Sequence, residues 1–125
     1  MIKQLLFVGL GGGAGSILRY LITLAVHRWH PAATFPLATF LANTTGCILI
    51  GFLIGLSARH GWMDSHVKLL LVTGFCGGYT TFSTFSLESI RLLENHHYLL
   101  LALYIAGSLL AGITSVGLGL LLSKL

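Results

Sequence analysis

Acidic residues are almost missing from this chain: three in 125 positions, Asp64, Glu88 and Glu94, and none among the first sixty-three. Charged residues of both signs make up 8% of it, against roughly 25% in an ordinary soluble domain, so a water-solvated globular surface is excluded. No HExxH run, Gly-x-Ser-x-Gly elbow or P-loop lysine is present, so the enzyme classes that depend on them have no foothold. The two cysteines, Cys47 and Cys76, each stand alone within an apolar stretch, with no CxxC or Cys/His ligand spacing, and are read as buried free thiols. The only prolines are Pro31 and Pro36. The seven Lys and Arg are scattered over segment ends rather than massed, which is not the footprint of a nucleic-acid binder.

What the chain does have is apolar length: 55% of it is hydrophobic. Four segments, about 4–26, 37–58, 67–93 and 98–122, are each long enough to cross a bilayer. Polar, Trp, Pro and His residues separate them, as expected at membrane interfaces. The expected fold is therefore all-α and integral to the membrane, a single four-span domain over 1–125 whose first span is not cleaved. Four helices make a bundle too thin to enclose a hydrated path, so a homo-oligomer, most simply a dimer, is expected. Lys3, Arg59, Lys68 and Lys124 fall on one side and Arg28 and Arg91 on the other, leaving Arg19 within a span. So weak a bias allows insertion both ways up, and hence an antiparallel, dual-topology dimer.

The first span contains Gly9, Gly11 and Ala14 at dinucleotide-fingerprint spacing, but no acid follows at ribose-binding distance, so the run is read as a close-packing face. Gly51 with Gly55, and Ser108 with Gly112, are further small pairs four apart that suit close helix packing. Arg19 is costly within a span and stands either as an anion attractor or as a clamp on a neighbouring helix's carbonyls. Asn43 offers two N–H donors at depth, either for an interhelical hydrogen bond or for a permeating anion. The six histidines sit at segment ends, where interfacial placement is the ordinary explanation.

The densest signal is Thr73-Gly-Phe-Cys-Gly-Gly-Tyr-Thr-Thr-Phe-Ser-Thr-Phe-Ser-Leu-Glu88. Unpaired backbone in hydrocarbon costs several kcal/mol, so a glycine-rich break there implies a cavity or an ion site. The pattern predicts two half-helices meeting near Gly74–Tyr79, where Gly77 and Gly78 free carbonyl oxygens that suit a small hard cation. Beyond it, Thr81, Thr84 and Glu88 fall on one helical face, and Phe82 and Phe85 on the next, with positive ring edges that could flank an anion. Glu88 could move a proton, bond to the hydroxyls or sit at the interface.

With Gly11-Gly-Gly-Ala-Gly-Ser-Ile-Leu-Arg-Tyr20 in the first span, Pro36-Leu-Ala-Thr-Phe-Leu-Ala-Asn43 and Gly46 in the second, and Gly74 to Ser86 with Glu88 in the third, the chain resembles the small bacterial fluoride channels of the Fluc/CrcB family along nearly its whole length. The resemblance implies a dual-topology antiparallel homodimer in the bacterial inner membrane, with two pores for fluoride ion. It implies a central structural Na⁺, not transported, on the backbone of Gly77 and Thr80. It also implies a fluoride pathway along Asn43, Phe82, Phe85 and Ser108, with the hydroxyls of Thr81, Ser83 and Thr84 and the carboxyl of Glu88 as a polar track. Arg19 is carried with them without an assigned contact. Gly112 and Tyr104 depart from the hydroxyl or amide expected at those places in span four. Passive export that lowers cytoplasmic fluoride is the expected function. A proton-coupled small multidrug exporter is the rival of similar architecture, but it wants a carboxylate deep in the first span, where this chain has Arg19. A noncatalytic subunit of a larger membrane complex is a third reading.

Overall fold

The computed structural model describes all of Met1–Leu125 and is entirely helical. Helix α1 runs over Ile2–Trp29 and α2 over Leu37–His60. A short α3, Ser65–Lys68, continues as a π-helix over Leu69–Cys76 and a last turn, α4, over Gly77–Tyr79. Helix α5 spans Phe82–Glu94 and α6 Tyr98–Leu122. Three of these, α1, α2 and α6, are long and apolar enough to cross a membrane. The expected third span is instead divided at Thr80 and Thr81.

Helix ends follow local chemistry. Gly61 closes α2 in the left-handed region, φ 59°, which an L residue enters only with strain. Asp64 caps α3 by accepting from Val67 N–H at 2.8 Å, and Thr81 Oγ1 caps α5 by accepting from Thr84 N–H. Asn95 N–H returns to Arg91 O at the end of α5.

Two helix pairs organise the molecule: α1 lies against the π-helix and α4, and α2 against α6. Both contacts are backbone to backbone. A Cβ at Gly11 would lie 2.0 Å from Leu70 O, one at Gly15 2.2 Å from Phe75 O, and one at Gly78 2.3 Å from Gly12 O. Across the other pair, a Cβ at Gly51 would lie 2.3 Å from Val116 O and one at Gly119 2.1 Å from Ile48 O. Without a hydrophobic drive between helices in lipid, such dispersion contact is a main source of cohesion.

These contacts correct two expectations. Gly77 and Gly78 do not break the helix; both are helical, and Gly78 is spent on letting α1 approach. The break falls after them, at Thr80 (φ −87°, ψ 156°) and Thr81 (φ −149°, ψ 125°), where β-branched residues tolerate extended backbone well. Nor do Ser108 and Gly112 bring helices together: a Cβ at Gly112 would meet only Cys47 Sγ, at an ordinary 3.7 Å. The small face of α6 that opposes Gly51 and Gly55 is Ser115 and Gly119, continued by Ser123 just past its end, all buried.

Only 17 of the 125 residues are buried, while leucines and isoleucines along α1 and α6 lie exposed. One copy in water could not hide this surface, so lipid or further protein must cover it.

Candidate functional site

The break is held by side chains from two other helices. Asn43, on α2, donates from Nδ2 to Thr81 O at 3.0 Å and accepts from Thr81 N–H at Oδ1, 2.7 Å. Gly46, one turn on, leaves room for Thr80, whose Cγ2 would lie 2.4 Å from an added Cβ. From α1, Arg19 Nε donates to Gly78 O at 3.2 Å, with Ser16 Oγ at 3.4 Å from the same carbonyl. Of the two readings of Arg19, the geometry is that of a clamp. Of the two readings of Asn43, it is the interhelical hydrogen bond, with one Nδ2 proton still unspent.

This capping decides which carbonyls remain free. Thr81 N–H, which in an unbroken helix would bond Gly77 O, is taken by Asn43. Thr84 N–H, which would bond Thr80 O, is taken by Thr81 Oγ1 at 3.3 Å. Cys76 O, by contrast, is satisfied by both the N–H and the hydroxyl of Thr80. The carbonyls of Gly77 and Thr80 are thus released from the helix ladder, and both residues line one groove.

That groove, about 560 Å³, is also lined by Asn43, Thr81, Phe82, Phe85 and Ser108. Cys47 and Cys76 border it as free thiols. Its walls are mainly apolar, and its one buried polar side-chain atom without a hydrogen-bond partner is Ser108 Oγ. A buried hydroxyl left unsatisfied costs about 1–3 kcal/mol, so Ser108 Oγ is a polar group within an otherwise mainly apolar wall. Phe82 is 78% exposed. Its ring centroid stands 5.8 Å from that of Phe85, and Phe85 in turn lies 4.9 Å from Tyr104.

A second cavity, about 290 Å³, lies on the other side of Thr81 and shares that residue with the groove. Arg19, Thr84, Glu88 and Arg91 line it, so the predicted polar residues divide between two spaces. Ser83 lines neither, although its hydroxyl lies 3.3 Å from Thr81 Oγ1. Thr81 and Thr84 hydroxyls are 3.1 Å apart, as their shared face predicted. Both oxygens of Glu88 accept a hydrogen bond: Thr39 Oγ1 donates to Oε1 at 2.9 Å and Tyr104 Oη to Oε2 at 2.7 Å. Sequence reasoning passed over Thr39 and saw Tyr104 only as a departure. The available signal for Thr39 was its place one turn before Asn43, on the same face of α2.

Over residues 6–120 the sequence matches the family model described as CrcB-like protein, Camphor Resistance (CrcB). The chain belongs to the CrcB family. Relatives include a protein of Azobacteroides pseudotrichonymphae, 45% identical over 124 residues, covering 99% of this chain and 98% of that one. Others come from Flavobacterium psychrophilum, 43% identical with 98% of each chain covered, and Phocaeicola vulgatus, 46% identical with 98% of this chain and 100% of the other. Each of these three relatives is named fluoride-specific ion channel FluC. The CrcB family is one of ion channels rather than enzymes. In a CrcB chain, the broken helix and the groove beside it are the natural place to look for an ion path.

Proposed function

We propose that the protein is a fluoride-selective channel of the bacterial inner membrane, working as an antiparallel, dual-topology homodimer with four spans per copy. The broken segment Ser65–Glu94 serves as the third span. The observation that carries this reading is the buried, unpartnered Ser108 Oγ in an open groove beside Phe82 and Phe85.

Fluoride is small and strongly hydrated, so a selective path must replace its water with donors. Ser108 Oγ, the spare Asn43 Nδ2 proton, the hydroxyls near the break and the positive edges of Phe82 and Phe85 form such a set. Chloride, larger and more weakly hydrated, gains less from each donor, so the preference for fluoride rests on this donor set replacing its water. A groove open along one side needs a second wall, which a second copy supplies.

Structural Na⁺ fits the oxygen donors at the break. The freed carbonyls of Gly77 and Thr80 are hard ligands on one groove, and two such pairs meeting across a dimer axis would surround a small cation. When bound, the ion supplies positive charge that ties the two breaks together.

Passive flow suffices for export. Neutral HF crosses membranes and dissociates at the higher internal pH, and a negative interior expels the trapped anion through any open fluoride path. The test is reconstitution into liposomes loaded with fluoride or chloride, with efflux followed by ion-selective electrodes after a K⁺ ionophore releases the voltage clamp. Rapid fluoride loss without chloride loss is expected. Dimeric protein in Na⁺ that releases no fluoride would overturn the proposal.

A further inference from the structure

Two residues, Gly78 and Tyr79, separate the carbonyls of Gly77 and Thr80 that the break releases. Whatever fixes those two residues also fixes the distance and angle between the two oxygens. Gly78 is held from α1: its carbonyl accepts from Arg19 Nε at 3.2 Å, and a Cβ there would collide with Gly12 O. Gly77 has no side chain, and Thr80 Oγ1 is spent on Cys76 O at 2.8 Å. In this stretch the Tyr79 phenol is thus the side chain left to set the spacing from the other side.

Three contacts lock that phenol, which is 5% exposed. Its ring stacks on that of Phe75 one turn earlier, with centroids 5.8 Å apart and planes 13° from parallel. The ring also fills the space that Gly46 leaves, since an added Cβ would lie 3.0 Å from Tyr79 Cδ1. Tyr79 Oη lies 2.7 Å from Thr45 Oγ1. Thr45 Oγ1 lies equally close, 2.7 Å, to Leu41 O, an atom that can only accept. The single hydroxyl proton of Thr45 therefore goes to Leu41, and the phenol donates to Thr45. Any buried phenol needs a partner; this one finds it on the helix that also carries Asn43. With Asn43 bonded to Thr81, α2 grips the chain on both sides of Thr80.

We infer that Tyr79 and Thr45 are positioning residues for the Na⁺ site, holding the carbonyls of Gly77 and Thr80 at a fixed spacing without touching the ion. The inference rests on the Na⁺ site proposed above. Tyr79→Phe keeps the ring, its stacking and its contact with Gly46, and loses only the anchor to α2. The turn between the two oxygens then gains freedom that ion binding must remove, so affinity falls through lost preorganisation.

Na⁺ itself is the probe, in thermal unfolding of the purified full chain in detergent, with Na⁺ replaced stepwise by N-methylglucamine at constant ionic strength. The Na⁺ concentration at which the melting temperature begins to rise reports the dissociation constant. A loss of stability unconnected with the site lowers the melting temperature at every Na⁺ concentration and leaves that onset in place. Tyr79→Phe and Thr45→Val should each raise the onset roughly threefold or more, the effect of an average interhelical hydrogen bond in a membrane. The combined variant T45V/Y79F should raise it no further than either alone, because one bond is lost in all three. Thr45→Ser, which keeps the hydroxyl, should keep the onset of the unmodified protein. So should Tyr98→Phe, which removes a phenol bonded to His96 in the turn before α6. An unmoved onset in Tyr79→Phe, or a shift in Thr45→Ser as large as in Thr45→Val, would overturn the inference and leave the Na⁺ site standing. An unmodified protein whose melting temperature ignores Na⁺ would overturn both.

Discussion

Asn43 and Thr81 are joined by two hydrogen bonds of opposite sense, 3.0 Å from Asn43 Nδ2 to Thr81 O and 2.7 Å from Thr81 N to Asn43 Oδ1. One amide thereby replaces both helix-ladder partners of a residue whose backbone has left the helix, and so sets where the broken segment turns. Without it the extended residue would leave a donor and an acceptor unpaired at membrane depth.

Replacing Asn43 by Leu keeps the bulk and removes both bonds. Interhelical hydrogen bonds in membranes are individually modest, so the expected loss is about 1–3 kcal/mol, with flux falling because the break is no longer held. Thermal unfolding in detergent together with liposome efflux checks this; an unchanged melting temperature would mean that the break holds itself.

Tyr104 is fully buried and donates to Glu88 while its ring meets Phe85 and Phe35. Tyr104→Phe keeps both ring contacts and deletes one O–H donor to a carboxylate, for an expected loss of about 1.5–3 kcal/mol. A double-mutant cycle with Glu88→Gln should give a coupling energy well above zero, and strict additivity would show the bond to be energetically idle.

The glycines divide into those that touch backbone and those that do not. Gly15→Ala and Gly78→Ala drive a methyl group into backbone that cannot yield, so loss of folded protein or a fall of about 3 kcal/mol is expected. Gly13→Ala meets nothing within 4 Å and should be neutral, or more stable by about 1 kcal/mol through helix propensity. Expression level and melting temperature of the three variants decide it.

Phe82→Ile with Phe85→Ile removes the ring edges but keeps an apolar wall, so fluoride efflux should drop at least tenfold, about 1.4 kcal/mol, while the protein stays folded. Ser108→Ala should also slow fluoride, yet leave stability unchanged or raise it, since the hydroxyl is buried without a partner. Efflux equal to that of the unmodified protein in both variants would remove the groove from the pathway.

If the carbonyls of Gly77 and Thr80 from two copies hold Na⁺, exchanging it for a large organic cation should weaken the dimer. Size-exclusion chromatography and thermal unfolding across a Na⁺ titration should follow a saturable curve. Indifference to Na⁺ would leave the two freed carbonyls to water.

Much of this molecule is legible in its sequence, because lipid imposes long apolar runs and punishes every polar exception. The all-helical build, the three long apolar helices, the free thiols and the presence of an interruption in the third segment could be read from residue type and spacing. What the sequence could not say is which exception answers which. Gly77 and Gly78 look like a helix break in one dimension, and only the approach of α1 makes Gly78 a packing residue and moves the break to Thr80 and Thr81. Asn43 and Arg19 each had two roles open until the carbonyls of Thr81 and Gly78 came within reach. The bonds of Thr39 and Tyr104 to Glu88 depend on pairing residues from different helices, which no local pattern encodes. Composition and periodicity determined what this chain must be dissolved in and where it is interrupted; packing of one backbone on another decided which polar groups are satisfied, and so which are left to meet an ion.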